Sequence, residues 1–147
     1  MMQKFIEAGY NIIDLNEQVP DICIVNTCTV TNMSDRKSRH ALRKVKDQNA
    51  IVVATGCYAQ VAKKEIEQMP EIDIVLGNDE KKDIVKYVEK YINDIQKENG
   101  KLSEIADISQ QKEFIDMGQI TYTEKTRAVI KVQDGCNQFC SYCIIPY

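Results

Sequence analysis

The chain predicts an α/β domain built on a parallel sheet, and three observations carry that expectation. Residues 21–26, 50–55 and 72–76 are near-continuous apolar runs of strand length, the pattern of strands covered on both faces. Between them, apolar residues recur at helical spacing. Each run also ends at a loop rich in Gly, Cys or Thr, so that strand and helix alternate through residue 97. Such alternation predicts crossovers of right-handed sense.

Taken in order, residues 1–8 read as the end of an amphipathic helix stopped at Gly9, a residue suited to a helix terminus. Residues 11–14 are a short strand candidate. A chain that opens inside a helix implies a further strand upstream. After the strand at 21–26, a helix is expected over about 34–47, with Asn32 as its cap and Asp35 in its first turn. Leu42 and Val45 form its apolar side, while Arg36, Arg39, His40 and Arg43 share another, with Lys37, Lys44 and Lys46 nearby. The strand at 50–55 leads into a helix over 58–69 that aligns Ala59, Ala62, Ile66 and Met69 and closes at Pro70. The strand at 72–76 stops at Gly77, and a helix over about 80–97 carries Ile84, Val88, Tyr91 and Ile95 as its seam. Three units follow: an α/β domain over 1–97, a polar, weakly periodic linker over 98–126, and a new strand at 127–132 opening a second unit that runs to 147.

Composition bounds the function. At 147 residues, 44% apolar and 28% charged, the chain suits one ordinary globular domain with its own core. No apolar run reaches the length of a membrane span and the first residues lack a signal-peptide core, so no membrane partner and a cytoplasmic location are expected. A net charge of −3 argues against a chain that coats nucleic acid along its whole surface, while leaving local basic patches open. Six cysteines in a reducing compartment point to metal or redox use before disulfides.

Three of those cysteines, Cys136, Cys140 and Cys143, stand in a C-x-x-x-C-x-x-C pattern just after Gly135. Thiolates this close in sequence are able to converge on one centre, one short of the four that normally hold an iron-sulfur cube. The spacing leaves other readings open. Structural zinc would need a fourth Cys or His, and the single histidine, His40, lies far back in the chain. A dithiol redox motif would use Cys140 and Cys143 and leave Cys136 unexplained. A second pair, Cys28 and Cys57, falls where predicted parallel strands end, the edge at which open α/β sheets bind ligands. Helix N-termini there would favour thiolate over thiol. Two unconnected, half-buried thiols are the plainer alternative. Cys23, in mid-strand, reads as a small core residue.

The triplet with Tyr142 resembles the cluster loop of the radical S-adenosylmethionine enzymes. The resemblance implies a 4Fe-4S cluster on Cys136, Cys140 and Cys143, whose open iron chelates S-adenosyl-L-methionine, with Tyr142 beside the adenine. The hard chemistry would then belong to the cofactor, a 5'-deoxyadenosyl radical that abstracts hydrogen, with the protein supplying ligation and orientation.

Asn26-Thr27-Cys28-Thr29-Val30-Thr31 and Thr55-Gly56-Cys57-Tyr58-Ala59-Gln60, in this order before the triplet, resemble the amino-terminal domain of the methylthiotransferases. That resemblance implies a Rossmann-like, flavodoxin-like domain followed by the first strand and cluster loop of a radical S-adenosylmethionine barrel. It also implies a second 4Fe-4S cluster on Cys28 and Cys57, with a third cysteine upstream of Met1. The chain would then be a fragment, inactive alone. Family chemistry replaces a carbon-bound hydrogen with a methylthio group, and implies a flavodoxin-like or ferredoxin-like electron donor; the sulfur donor stays unknown. Cys28 to Asn32, Asp35 to Arg39 and Arg127 to Cys136 most resemble the branch acting on threonylcarbamoyladenosine at tRNA position 37. The isopentenyladenosine branch, the ribosomal-protein aspartate branch and a non-catalytic metal-binding module are the alternatives. With tRNA as partner, Arg36, Arg39 and Arg43 become candidates for backbone phosphates.

Overall fold

A computed structural model describes residues 1–14, 18–46, 50–95, 100–108, 130–133, 135–143 and 145, with the side chain of residue 95 outside that set. Helix α1 (Met2–Glu7) comes first, and Gly9 ends it at φ +86. Strand β1 (Ile22–Thr27) leads to α2 (Asn32–Lys46), and β2 (Ile51–Gly56) runs directly into α3 (Cys57–Val61) and α4 (Lys63–Glu67). Strand β3 (Ile74–Leu76) is followed by a 3-10 turn (Glu80–Asp83), α5 (Ile84–Lys90), a π turn (Tyr91–Ile95) and β4 (Leu102–Glu104). The four strands form one parallel sheet in the order β1-β2-β3-β4, an α/β Rossmann-like arrangement.

Residue alternation along the strands divides the core into two layers. Cys23, Val52, Ala54 and Val75 point to one face, where Leu42 and Val45 of α2, Tyr58 and Ala59 of α3, and Ile66 of α4 cover them. Val53, Ile74, Leu76 and Leu102 point to the other, under Phe5 of α1 and Ile84, Val88 and Tyr91 from α5 and the turn after it. Val52, Val53, Ala54, Ile74, Val75 and Leu76 are wholly buried, which explains why the runs carried no polar alternation. The strands are laid down in one direction across the sheet, yet α5 lies on the face opposite α2 to α4. The last crossover therefore has the opposite hand to the first two, against the uniform right-handed sense expected.

Several other expectations are corrected. Residues 11–14 form no strand, and β4 lies inside the stretch expected as a linker, so the sheet continues past residue 97 to Glu104. The helix expected over 58–69 breaks at Ala62 (φ −100, ψ 37) into two five-residue pieces that keep Ala59, Ile66 and Met69 buried. Thr31, not Asn32, caps α2: its Oγ1 accepts the Ser34 N–H at 3.1 Å and its carbonyl accepts that of Asp35 at 3.2 Å. Ile130 and Val132 are 79% and 87% exposed and belong to no strand, because no described backbone pairs with them. Residues 127–129 of that expected strand, and most of the expected linker, lie outside the described residues.

The sheet edge at the strand N-termini is tied by Asp73. Its Oδ2 accepts the Val52 N–H at 2.8 Å, Lys46 Nζ lies 3.1 Å from both carboxylate oxygens, and the Tyr91 hydroxyl donates to Oδ1 at 3.4 Å. Desolvation raises the Tyr91 hydroxyl above its ordinary pKa, with Asp73 adding to the effect, and desolvation also leads the upward shift at Tyr58. A tyrosine whose pKa is raised by folding contributes stability that is complete below the unfolded value and lost as pH climbs through the folded one. These two hydroxyls should therefore leave stability unchanged up to about pH 10 and lower it above, while the buried Cys23 thiol, also pushed up by desolvation, starts the alkaline decline from about pH 8.5. Urea denaturation of Tyr58→Phe and Tyr91→Phe should show a shallower alkaline decline than the parent; identical slopes would remove these two hydroxyls as its source.

Candidate cysteine site at the strand ends

Parallel register creates this site. Thr27 pairs with Gly56 as the last residues of β1 and β2, and Cys28 and Cys57 are the next residue of each chain segment. Two thiols 29 positions apart in sequence thus leave the sheet from adjacent strand ends, at the edge where the β–α loops gather. Cys28 is exposed and Cys57 half-buried.

Three local devices hold the pair. Gly56 adopts φ +103, and a Cβ there would meet the Thr27 carbonyl oxygen below contact distance and the Thr27 nitrogen at 2.8 Å, so only glycine permits this close approach of the strands. The buried Thr27 hydroxyl donates to the Thr55 carbonyl at 2.6 Å and accepts the Ala59 N–H at 3.1 Å, which locks β1 to β2 and caps the first turn of α3. Ser38, in the second turn of α2, accepts the Cys28 N–H and donates to the Cys28 carbonyl, both at 3.2 Å. Neither Thr27 nor Ser38 stood out in the sequence as a site residue. Thr27 had a signal, since a hydroxyl just before a cysteine loop is a ready cap; Ser38 had none, because its partner lies ten positions back.

Beside Cys57, Tyr58 is buried with its hydroxyl accepting a hydrogen bond from Arg39 Nη1 at 2.8 Å, and the guanidinium lies 5.6 Å from the ring centroid. Desolvation raises the Tyr58 pKa, and the Arg39 bond works against it. Arg39 also pairs with Glu65 at 3.4 Å, and Arg43 with Glu71 at 3.6 Å. Of the three arginines expected to meet phosphates, only Arg36 is exposed with no ion pair among the described residues. Arg39 is instead part of the packing around Cys57. The helix that begins at Cys57 spans five residues. Cys23 is buried and desolvation pushes its thiol up, as a core position requires.

The triplet loop is different. Gly135 (φ +66) and Phe139 (φ +38) turn the backbone, and the Cys143 N–H reaches the Cys140 carbonyl at 3.0 Å. Cys136, Cys140 and Cys143 are each half-buried, and Tyr142 is 90% exposed, packed against nothing described. Among the described residues no three of His, Cys, Asp or Glu converge closely enough to hold a metal ion. Cys28 and Cys57 thus bring two thiols, the donor type that holds iron-sulfur clusters, to adjacent strand ends, and the triplet supplies the same donor type on one loop. Among the described residues no helix is long and apolar enough to cross a membrane.

Comparison with known proteins bears on this edge. The sequence model of the Uncharacterized protein family UPF0004 matches residues 1–77, which include both Cys28 and Cys57. The chain is 41% identical over 149 residues to a threonylcarbamoyladenosine tRNA methylthiotransferase of Aquifex aeolicus, covering all of this chain and 35% of the relative. It is 40% identical over 147 residues to the Bacillus subtilis protein of the same name, covering 99% of the chain and 32% of the relative. A ribosomal protein uS12 methylthiotransferase of Clostridium novyi is 38% identical over 154 residues, with 99% of the chain and 32% of the relative covered. The chain spans about a third of the length of these curated relatives. No solved structure matches.

Replacing Thr27 with Val keeps shape but strands the Ala59 N–H in a buried setting and removes the hydroxyl bond to the Thr55 carbonyl. The expected loss is about 2–3 kcal/mol of unfolding free energy, read by urea denaturation; a change under about 0.5 kcal/mol would mean that the bridge is dispensable.

Proposed function

The chain belongs to the UPF0004 family, and on that premise we propose that it is the amino-terminal part of a radical S-adenosylmethionine methylthiotransferase that modifies tRNA. The substrate is N6-threonylcarbamoyladenosine at position 37, and the product carries a methylthio group at C2. The observation that carries the reading is the register pair Thr27–Gly56, which delivers Cys28 and Cys57 together at an open sheet edge. A pair of unconnected core thiols would need neither the glycine contact nor the two hydroxyl clamps spent on that corner. Two of the similar proteins carry the threonylcarbamoyladenosine name, which supports the tRNA branch.

In this reading Cys28 and Cys57 are two ligands of one 4Fe-4S cluster, and Cys136, Cys140 and Cys143 ligate a second. Those clusters, with S-adenosyl-L-methionine, supply radical generation and methylthio transfer. The chain's own residues do the rest. Thr27 and Gly56 set the spacing of the strand ends, Arg39 and Tyr58 pack the back of the Cys57 turn, and Tyr142 is left exposed to stack on an adenine. An electron donor of flavodoxin or ferredoxin type and a sulfur donor complete the system, in the cytoplasm.

For tRNA, Arg36 is the arginine of α2 best placed to meet a phosphate, since it is exposed and unengaged among the described residues, with Lys37 and Lys44 exposed on the same helix. Arg43 is 63% exposed in a long surface pair that costs little to exchange for a phosphate. In the full-length protein, Arg36→Glu should weaken tRNA binding and flatten its salt dependence, as the loss of one phosphate contact does. Arg39→Glu should instead lower thermal stability by breaking the Tyr58 contact. Equal binding by the Arg36 variant and the parent would retire Arg36 as a phosphate contact.

Mass spectrometry of tRNA nucleosides from source cells with the corresponding gene intact and disrupted tests the reaction. Loss of 2-methylthio-threonylcarbamoyladenosine, with its unmethylthiolated precursor accumulating, is expected. Loss of the isopentenyladenosine analogue would move the assignment to that branch. No change in any tRNA nucleoside would favour the ribosomal-protein reading, which the 38% identical relative keeps in view.

A further inference from the structure

Resting on the reading of Cys28 as a cluster ligand, we propose that Ser38 is a positioning residue that sets the direction of the Cys28 thiolate. Ser38 is 7% exposed, and its hydroxyl holds Cys28 from both sides: it accepts the N–H of the preceding peptide plane and donates to the carbonyl of the following one, each at 3.2 Å. The two soft backbone torsions of Cys28 are the rotations between those planes. Tying both planes to one oxygen fixes φ and ψ together and leaves the side-chain rotation as the main freedom of the sulfur.

The clamp is anchored deeply. Ser38 precedes Leu42 by four residues on the same face of α2, and Leu42 is wholly buried against the sheet. A core contact is thereby transmitted to an otherwise exposed ligand residue. The hydroxyl has no other explanation in the helix. Alanine is the better helix former at a buried interior position, and a helical serine ordinarily back-bonds to a carbonyl of its own preceding turn. This one reaches out of the helix to Cys28 instead. Cys57 needs no such clamp, because Gly56 and the start of α3 already define its backbone.

The test uses the full-length protein carrying Cys136→Ala, Cys140→Ala and Cys143→Ala, reconstituted with iron and sulfide, so that only the cluster at Cys28 contributes. Ser38→Ala, Ser38→Thr, Val88→Ala and Cys28→Ala are compared in that background. The readouts are iron released to a chelator under anaerobic conditions, the electron paramagnetic resonance spectrum of the reduced protein, and the melting temperature without metal. Ser38→Ala should release iron about five- to tenfold faster, the rate equivalent of one or two hydrogen bonds, and broaden the spectrum while melting within a few degrees of the parent. Ser38→Thr, which keeps the hydroxyl, should restore the parent rate. Val88→Ala, a wholly buried position on the opposite face of the sheet, should melt lower than Ser38→Ala yet keep the parent spectrum, which separates positioning from general loosening.

Unchanged release and spectrum in Ser38→Ala would overturn the proposal, as would identical spectral broadening in Val88→Ala. If the parent binds no cluster, or Cys28→Ala holds as much iron as the parent, the ligand reading itself fails and the proposal falls with it.

Discussion

The corner of the molecule where β1 meets β2 depends on one hydroxyl. Thr27 Oγ1 lies between the Thr55 carbonyl and the Ala59 N–H, so it closes the two strand ends and starts α3 with a single group. A buried polar atom is tolerable only when its hydrogen bonds are made, and here both the donating and the accepting capacity are used. Gly56, the register partner of Thr27, supplies the complementary condition by letting the two backbones approach closely. Everything that follows β2, including the placement of Cys57 and the burial of Tyr58, starts from that junction.

The two ends of the sheet are organised by different chemistry. At the strand N-termini, Asp73 gathers the Val52 N–H, Lys46 and Tyr91, a charge-assisted tie that holds α2, β2 and the turn after α5 to β3. Along the β3–β4 edge, Gln60 accepts the Asn78 N–H and donates to the Ala106 carbonyl, and Glu80 accepts the Ala106 N–H at 3.1 Å. The cysteine end of β1 and β2 is held by the hydroxyls of Thr27 and Ser38, with the Arg39–Glu65 pair beside Tyr58.

Surface charge divides in the same manner. Arg39 is drawn inward by the Tyr58 ring and hydroxyl, and Glu65 completes its neutralisation. Three arginines at helical spacing looked equivalent, yet α3 and α4 lie against one flank of α2 and recruit Arg39 there, while Arg36 stays outside that contact. A basic helix face is therefore two surfaces, one structural and one open to a polyanion.

How much of this was legible in the chain follows from the range of the forces involved. Apolar runs of strand length, helical spacing of Leu42 and Val45 or of Ile84 and Val88, and the stop at Gly9 are local patterns, so the strands at β1, β2 and β3 and the helices between them could be read directly. The cysteine pair was legible as two strand ends. Beyond that, β4 is three residues in a polar setting and gains its strand character only from pairing with β3. The break at Ala62 and the face chosen by α5 answer to packing rather than to propensity. The roles of Ser38 and Arg39 depend on partners ten and nineteen positions away. Residue periodicity carries information about which side of an element is apolar. Which particular side chain meets a cysteine across two elements is decided by the register of the sheet and the docking of α2 upon it.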